Sequence, residues 1–326
     1  MKTTTTFKLS ALLLCATLFT TSCKDNSAYD EMAGPSAASF KDMRAKTLTD
    51  LTQKKDFKIE DGITFTSSKG AKLQIQPNCL RLQNGSPATG NATLSFIEIY
   101  DRGNMVMANK PVMGINGVGK KEPLITGGQY NIKIMQGDQE LKSGCMFNVS
   151  IPASNTGTLD AAMKLWNGNI DQDGNLAWEE VKGQGKEAGM NINTDMASYS
   201  IWGTEFGWTN VDRFASFPDP KTQIKVKVPA GYNKDNAAIY LAYQDQPNLL
   251  AQLDTYDKVD HFFSEHYGFV PVGMTLHVIF VSESNGAVAH SIKQVTVAAN
   301  SVITFTEQEL SVGTKAQVQD KINKLK

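Results

Sequence analysis

Oxygen-bearing side chains are densest between residues 169 and 180 of this 326-residue sequence. In a twelve-residue stretch there, side-chain oxygens stand at position 1 (Asn169), position 3 (Asp171), position 5 (Asp173) and position 12 (Glu180). The backbone carbonyl of Asn175 stands at position 7. Glycine stands at position 6, which completes the spacing of an EF-hand calcium loop. Closely spaced carboxylates repel one another unless a cation lies between them, so a weak calcium site is one interpretation of this stretch.

The residues around this stretch favour a simpler interpretation. Position 1 is asparagine, and Gly183 and Gly185 follow too closely for an outgoing helix to form. The pair Asp173-Gly174 between two apolar-rich runs is typical of a β-hairpin turn. We therefore expect a plain turn and no cofactor, with calcium as the alternative.

The four tryptophans, Trp166, Trp178, Trp202 and Trp208, all lie in one short part of the sequence. Exposed in a row, they would form a stacking platform for sugar rings. Tryptophan also packs the cores of small β-sandwiches, and Trp166 and Trp178 flank the expected hairpin as a cross-strand pair would. The core interpretation is favoured, and the platform stays open as the alternative.

Motifs of the common enzyme classes are absent from the sequence. It contains four histidines and no H-E-x-x-H, G-x-S-x-G, P-loop or G-x-G-x-x-G pattern. A catalytic triad assembled in three dimensions would leave no such trace, because triads are recognised by geometry. We expect a protein that is not an enzyme.

The first residues have the pattern of a secretory signal. Lys2 and Lys8 precede the apolar run LSALLLCATLF, which is too short to span a membrane, and small polar residues lead from it to Cys23. This arrangement resembles a bacterial lipobox, in which the chain is cut before a cysteine that then carries lipid. An ordinary cleaved signal with an incidental cysteine is the less favoured alternative.

Acylation of Cys23 would bury several hydrocarbon chains and hold the protein on its membrane. Lys24, Asp25 and Asn26 follow the cysteine directly. This start resembles the signal that sends lipoproteins of Bacteroidota-type bacteria to the cell surface. We expect attachment to the outer membrane, with surface exposure favoured over attachment that faces the periplasm.

Two further cysteines, Cys79 and Cys145, remain after Cys15 leaves with the signal and Cys23 is modified. An oxidising compartment allows a disulfide between them, which in the chain-entropy model contributes ~4 kcal/mol. Two separate buried cysteines are the alternative, because the sequence does not give the distance between their Cα atoms.

Composition narrows the class of partner. The 32 basic residues nearly balance 33 acidic ones, and 41% of the chain is hydrophobic. A nearly neutral chain has no basic excess with which to neutralise phosphates, so nucleic acid is not an expected partner. After the first twenty or so residues no apolar run is long enough to span a bilayer, so the lipid is the expected membrane contact.

The main body has the period of two that is typical of β-strands. ITFT, NATLSFIEIY and MFNVSI alternate apolar and polar residues in the first part, as do TLHVIFVS and SVITFT in the second. The pair Asn285-Gly286 between two such runs is a strong hairpin signal. The fold class is therefore all-β, with two antiparallel β-sandwich domains, a short N-terminal amphipathic helix and a C-terminal helix from Thr314.

The expected boundaries follow from changes in this pattern. We assign a lipoprotein signal peptide to residues 1–22, a flexible tether to 23–38 and an amphipathic helix to 39–56. A first β-sandwich follows at 57–152, then a Trp-rich connecting segment at 153–215 and a Pro-containing linker at 216–221. A second β-sandwich takes 222–306, and a C-terminal tail or helix takes 307–326.

Part of the chain resembles a known module. The run GITFTSSKGAKLQIQPNCLRLQNGSPATGNATLSFIEIY, followed by NMVMANKPVM, ITGGQYNIKI and a strand that ends at Ile151-Pro152, is similar to a β-sandwich module of Bacteroidota cell-surface lipoproteins, itself distantly similar to ZU5 domains. GWTNVDRF and PVGMTLHVIFVSE resemble later parts of the same family. The resemblance implies location and fold, and it brings no catalytic residues.

Taken together, the sequence predicts a membrane-anchored envelope lipoprotein that acts as a non-enzymatic binding or structural module, with an unknown protein or glycan partner. Two alternatives remain. One is a carbohydrate-binding module that uses the tryptophans. The other is a surface hydrolase of glycan or peptide, with acids from the 160–215 region.

Overall fold

The computed structural model describes Met1 and residues 35–326, apart from residues 171–175, 183–186 and 266–269. The described chain is mostly β, as the alternating pattern predicts. Three helices accompany the strands in the described residues, namely α1 Ala37–Leu51, α2 Arg102–Ala108 and α3 Lys315–Asn323.

The helix α1 begins and ends earlier than the predicted range of 39–56. Its cap is Ser36, whose hydroxyl accepts a hydrogen bond from the Ser39 N–H at 3.2 Å. Thr52 is already extended, and the next six residues form a strand that pairs along its whole length with another strand. The predicted end at residue 56 is therefore wrong, because residues 53–56, which helical spacing assigned to the helix, pair with another strand instead.

The strands of the first half are β1 Gln53–Lys58, β2 Ile63–Thr66, β3 Lys72–Ile75, β4 Leu80–Arg81, β5 Asn91–Ile99, β6 Met113–Ile115, β7 Lys121–Gln136, β8 Gln139–Glu140, β9 Lys142–Ser143, β10 Phe147–Pro152, β11 Lys164–Ile170, β12 Leu176–Glu180, β13 Ala188–Asn193, β14 Ser198–Gly203 and β15 Gly207–Phe214.

Most of these strands form two sheets that share one core. Sheet A has the order β1-β5-β7-β15-β11-β12-β6, with β8 paired to β7, and sheet B has the order β13-β14-β10-β3-β2. Leu73, Val149 and Ile201 of sheet B are buried in one cluster with Phe96 and Ile132 of sheet A. Apolar residues of alternating strands therefore meet between the two sheets.

The Trp-rich segment 153–215 is part of these sheets, which corrects the prediction that it connects two domains. Strands β11, β12 and β15 lie in sheet A, and β13 and β14 lie in sheet B. Strands β7, β15, β11, β12 and β6 also close into a ring of pairings, because β6 pairs with both β12 and β7. The sequence pattern identified strands here but could not show their partners, which are distant in sequence.

The strands of the second half are β16 Lys221–Thr222, β17 Lys225–Lys227, β18 Ala237–Tyr243, β19 Leu250–Leu253, β20 Thr255–Asp257, β21 Phe262–Ser264, β22 Val270–Pro271, β23 Thr275–Ser284, β24 Ala287–Thr296, β25 Val302–Thr304 and β26 Ser311–Gly313.

Two sheets of the second half also share a core. Sheet C has the order β20-β21-β17-β25, and sheet D has the order β19-β18-β23-β24-β26. Val226 and Phe263 of sheet C pack with Ile239, Leu241 and other residues of sheet D. Every residue of β18 is buried, because the opposite face of sheet D is covered as well.

A layer of helices covers that opposite face of sheet D. Phe40 of α1, Val106 of α2 and Val318 of α3 belong to one buried cluster with Tyr240 of sheet D and Trp178 of sheet A. The helix α3 begins with the capping box that its sequence predicts, formed by Thr314 and Gln317. The three helices therefore fill the space between the two halves of the fold.

Candidate functional site

The predicted lipid attachment site, Cys23, lies outside the described residues, as do the signal peptide apart from Met1 and all but the last few residues of the tether. No helix among the residues that the structure describes is long and apolar enough to cross a membrane.

Only two of the five predicted calcium ligands, Asn169 and Glu180, lie among the described residues. Strands β11 and β12 form an antiparallel hairpin in which Asn169 lies opposite Ala177, while Glu180 lies opposite Trp166. Three residues along a strand separate Glu180 from Asn169, a distance of about 10 Å. The two strands of the expected hairpin are paired, while the turn that joins them lies outside the described residues.

The remaining predicted ligands, Asp171, Asp173 and Asn175, lie outside the described residues. Elsewhere, the described residues contain no group of three or more His, Cys, Asp or Glu side chains with the arrangement of a metal site.

Two of the four tryptophans are core residues, as the favoured interpretation predicts, so the alternative platform of four exposed rings is wrong for these two. Trp166 and Trp178 are fully buried, and each indole N–H donates to a backbone carbonyl, Trp166 to Asp212 at 2.8 Å and Trp178 to Pro111 at 3.1 Å. A buried indole with its N–H satisfied is a structural residue. Trp208 is partly buried in the same cluster, with the Lys110 ammonium 5.3 Å from its ring centre.

Cys79 and Cys145 are joined by a disulfide. Their Cα atoms lie 5.3 Å apart, within the usual range for such a bond. The adjoining short strands β4 and β9 pair with each other, so the bond joins two segments that already lie side by side. The structure thus selects the disulfide from the two alternatives that the sequence left open.

The outward side of sheet B presents a flat array of polar side chains in two rows. One row crosses the strands as Gly189, Trp202, Asn148, Gln74 and Thr64, and the next row crosses them as Asn191, Ser200, Ser150, Lys72 and Thr66. We name this surface the polar sheet face and define it by the side chains of Thr64, Thr66, Lys72, Gln74, Asn148, Ser150, Asn191, Ser200 and Trp202.

The polar sheet face is open to solvent. Six of its nine side chains are exposed, and Ser150, Ser200 and Trp202 are partly exposed. Five strands with a spacing of about 4.8 Å make each row about 19 Å wide. Lys72 is the one charged residue among the nine, all of which the structure describes.

Trp202 is the large apolar side chain on this otherwise polar surface. Its neighbours along the strand, Ile201 and Gly203, face the core, so alternation places the indole outward. The ring lies over Gly189 of the adjacent strand, where an added Cβ atom would come within 2.3 Å of the indole carbon Cζ2. Only glycine at position 189 lets the ring lie this close to the strand.

Next to Trp202, a cavity of about 280 Å³ opens between the ends of sheets A and B. Its lining includes Asn167, Glu187, Glu205 and Thr209. It also includes the buried Tyr130, whose hydroxyl has Thr209 beside it and no hydrogen bond of good geometry. Burial raises the pKa of Tyr130, so the phenol stays protonated and can donate into the cavity.

Among the carboxyl groups that the structure describes near this cavity, none has the environment of a general acid. Glu187 and Glu205 border the cavity but are solvent-exposed, whereas a general acid needs a carboxyl group held in an apolar site. Burial raises the pKa of Asp212 well above its ordinary value, but this side chain is fully enclosed and hydrogen-bonded by Asn210. No solute reaches it.

A second buried carboxylate, Glu98, has its oxygens saturated by protein donors. They accept hydrogen bonds from the Ser67, Ser68 and Tyr100 hydroxyls, the Lys69 N–H and the Gln53 amide, at 2.7 to 3.3 Å. This network joins the turn between β2 and β3 to sheet A and has a structural role.

No family model matches this sequence, and no curated protein matches it.

The sequence prediction grouped the tryptophans and did not identify the polar sheet face. One signal was available in SYSIWG, where Trp202 occupies the position that alternation assigns to solvent. Apart from Ser200 of the same strand, the amide and hydroxyl residues that surround it come from four other strands, and only their pairing brings them together.

Proposed function

We propose that this chain is a membrane-anchored envelope lipoprotein that acts as a non-enzymatic binding module. The observation that carries the binding role is the polar sheet face, a flat and open surface that includes an outward-facing tryptophan. Scattered exposed apolar residues need no explanation, but an indole seated on a glycine within an array of amides has the composition of a recognition surface.

The anchor in this proposal rests on the sequence. An apolar run from which small polar residues lead to Cys23 is the pattern of a lipid-modified start, and the residues from Lys24 onward have the small, polar composition of a tether. Two or more acyl chains give stable attachment, whereas one chain binds only reversibly. Outer-membrane attachment with the binding module at the cell surface is the location that we propose.

We also propose that the two halves are two β-sandwich domains, with sheets A and B in the first and sheets C and D in the second. The shared cluster between each pair of sheets supports this assignment. The helix layer would then fill the space between the two domains.

The anchor is tested by cell fractionation of a Cys23→Ala variant. We expect the native protein in the outer-membrane fraction, accessible to added protease on intact cells, and the variant released from that fraction. Cys15→Ala is the matched control, because it makes the same substitution eight residues earlier, inside the apolar run. A Cys23→Ala protein that fractionates like the native one would refute the lipid anchor.

A further inference from the structure

We propose that the polar sheet face binds a neutral glycan chain, which lies across the strands with one sugar ring stacked on Trp202. This inference rests on the proposed binding role and specifies its ligand class. It concerns a surface of the folded body and does not depend on Cys23.

The charge of the surface selects a neutral ligand. Lys72 is the single charged side chain of the nine, and each phosphate or carboxylate of an anionic polymer would need its own cation. A basic peptide would need carboxylates, which the nine residues do not supply. Neutral polymers are the class that this surface matches without an unpaired charge.

The polar groups of the surface match hydroxyl groups. Asn148 and Gln74 carry amides that both donate and accept hydrogen bonds, and the Thr64 and Ser150 hydroxyls do the same. Sugar hydroxyls also act as donors and acceptors, so each can pair with such a group in either direction. A surface that binds anions depends instead mainly on hydrogen-bond donors, and one that binds cations mainly on acceptors.

Trp202 supplies the apolar contact that a sugar ring needs. The C–H groups on one face of a pyranose ring form an apolar patch, which packs against a flat aromatic ring. The indole of Trp202 lies close over Gly189 of the neighbouring strand. A ring stacked there lies in line with Asn148 and Gln74, which are the next residues of the same row.

The shape of the surface favours a chain over a small molecule. Small ligands are held in concave sites that bury most of their surface. The row from Trp202 through Asn148 and Gln74 to Thr64 is flat and about 14 Å long, from three strand spacings of about 4.8 Å. An extended polymer can contact one residue on each strand as it crosses them.

The test uses the full-length protein in detergent and measures binding to soluble polysaccharides by affinity electrophoresis and calorimetry. The probes are dextran, mannan, xylan and a mixed-linkage β-glucan as neutral polymers, with alginate as the anionic one. We expect at least one neutral probe to retard the native protein and alginate to have no effect.

Three variants locate the contact. Trp202→Ala should weaken binding to the retarding probe at least tenfold, and so should the double variant Asn148→Ala/Gln74→Ala. Gly189→Ala keeps the tryptophan but pushes its ring off the strand, so we expect a loss of a similar kind. The control is Gln139→Ala/Gln308→Ala, which removes two exposed amides away from this surface and should leave binding unchanged.

The proposal is overturned if no neutral probe binds, if alginate alone binds, or if binding persists in Trp202→Ala and in the amide double variant. Circular dichroism and thermal unfolding of each variant separate lost contact from lost fold. If no glycan binds but the native protein fractionates with the outer membrane, the glycan proposal is rejected and the lipid anchor stands. If the native protein is found in the soluble fraction but binds a neutral probe, the lipid anchor is rejected and the glycan proposal stands.

Discussion

At the scale of single residues, the disulfide between Cys79 and Cys145 constrains the unfolded chain more than it adds contacts to the folded one. The two residues are separated by 66 positions, so the bond closes a long loop. In the chain-entropy model such a loop stabilises the folded state by about 4 kcal/mol.

We predict that the Cys79→Ala/Cys145→Ala variant loses about 4 kcal/mol in the free energy of unfolding, measured by urea titration. Reductant should destabilise the native protein by a similar amount and should have no effect on the double variant. Equal stability of the native protein with and without reductant, after its thiols have been shown to be free, would contradict this prediction.

A buried histidine makes the C-terminal helix sensitive to acid. The Lys321 ammonium donates to Nε2 of His290 at 3.0 Å, which requires that nitrogen to be unprotonated. Burial and the nearby Lys321 charge lower the pKa of His290 below its ordinary value. Protonation would place two cations in contact between β24 and α3.

The sign of the resulting pH dependence follows from linkage. The unfolded chain binds a proton near pH 6.5, while folded His290 binds it only at lower pH, so stability is complete above about pH 6.5 and falls as the pH drops below it. We predict that urea midpoints decline between pH 7 and pH 5, and that His290→Gln declines less. A residual slope is expected because the pKa of His277 is also lowered. Identical slopes for the native protein and the variant would refute the assignment.

At the scale of elements, Arg102 connects three parts of the fold. Its buried guanidinium donates to the carbonyl of Tyr243 at the end of β18 and to those of Gln246 and Leu249 in the connection to β19. It also donates to the carbonyl of Leu325 after α3. Burial lowers the pKa of Arg102 to about 10, so it remains charged at neutral pH.

Loss of this guanidinium leaves buried carbonyls without donors. We predict that Arg102→Met lowers the free energy of unfolding by about 3 kcal/mol or more, measured by chemical denaturation. Arg213→Met is the matched control, because Arg213 pairs with Asp160 where both are partly exposed, and such pairs contribute about 1 kcal/mol or less. Similar losses in the two variants would contradict the structural role of Arg102.

Local sequence signals predicted the elements that depend on local chemistry. The Asn285-Gly286 hairpin forms between β23 and β24, and both residues have positive φ, as its turn requires. The capping box of α3 is present for the same reason. Helix α2 was not predicted, because Gly103 lies inside it and is needed by a distant contact: a Cβ atom there would come within 2.8 Å of the Gln319 carbonyl of α3.

The candidate site was predicted only in part. The four tryptophans in one stretch pointed to the region that contains the site. Two of them, Trp166 and Trp178, are core residues beside the helices and do not belong to the surface. Trp202 lies at the surface because it occupies one of the positions of β14 whose side chains point away from the core. Its polar neighbours Asn148 and Gln74 come from strands that pair with each other only in the folded sheet, and no local pattern reports such pairing.

At the scale of the whole molecule, the two halves are joined by more than the linker 216–221. The Val112 N–H donates to the Leu250 carbonyl at 3.0 Å, and the Thr126 N–H donates to the Asn248 carbonyl at 3.1 Å. The helix layer adds a buried apolar cluster that contains residues from both halves. These contacts make residues 34–326 one compact unit.

We predict that cutting the linker does not separate the halves. A protease site inserted between Pro218 and Asp219, which are both exposed, should give two fragments that elute together in size-exclusion chromatography under native conditions. The shared core should keep the nicked protein folded, with an unfolding midpoint close to that of the uncut protein. Fragments that elute separately would show that the halves are independent.

We propose above all that Cys23 carries lipid and holds a folded binding module at the envelope. Mass spectrometry of the N-terminal peptide from membrane-extracted protein tests it most directly. We predict a peptide that begins at Cys23 and is heavier by a diacylglyceryl group and an amide-linked acyl chain. A mature chain that begins at another residue, or an unmodified Cys23, would contradict the account.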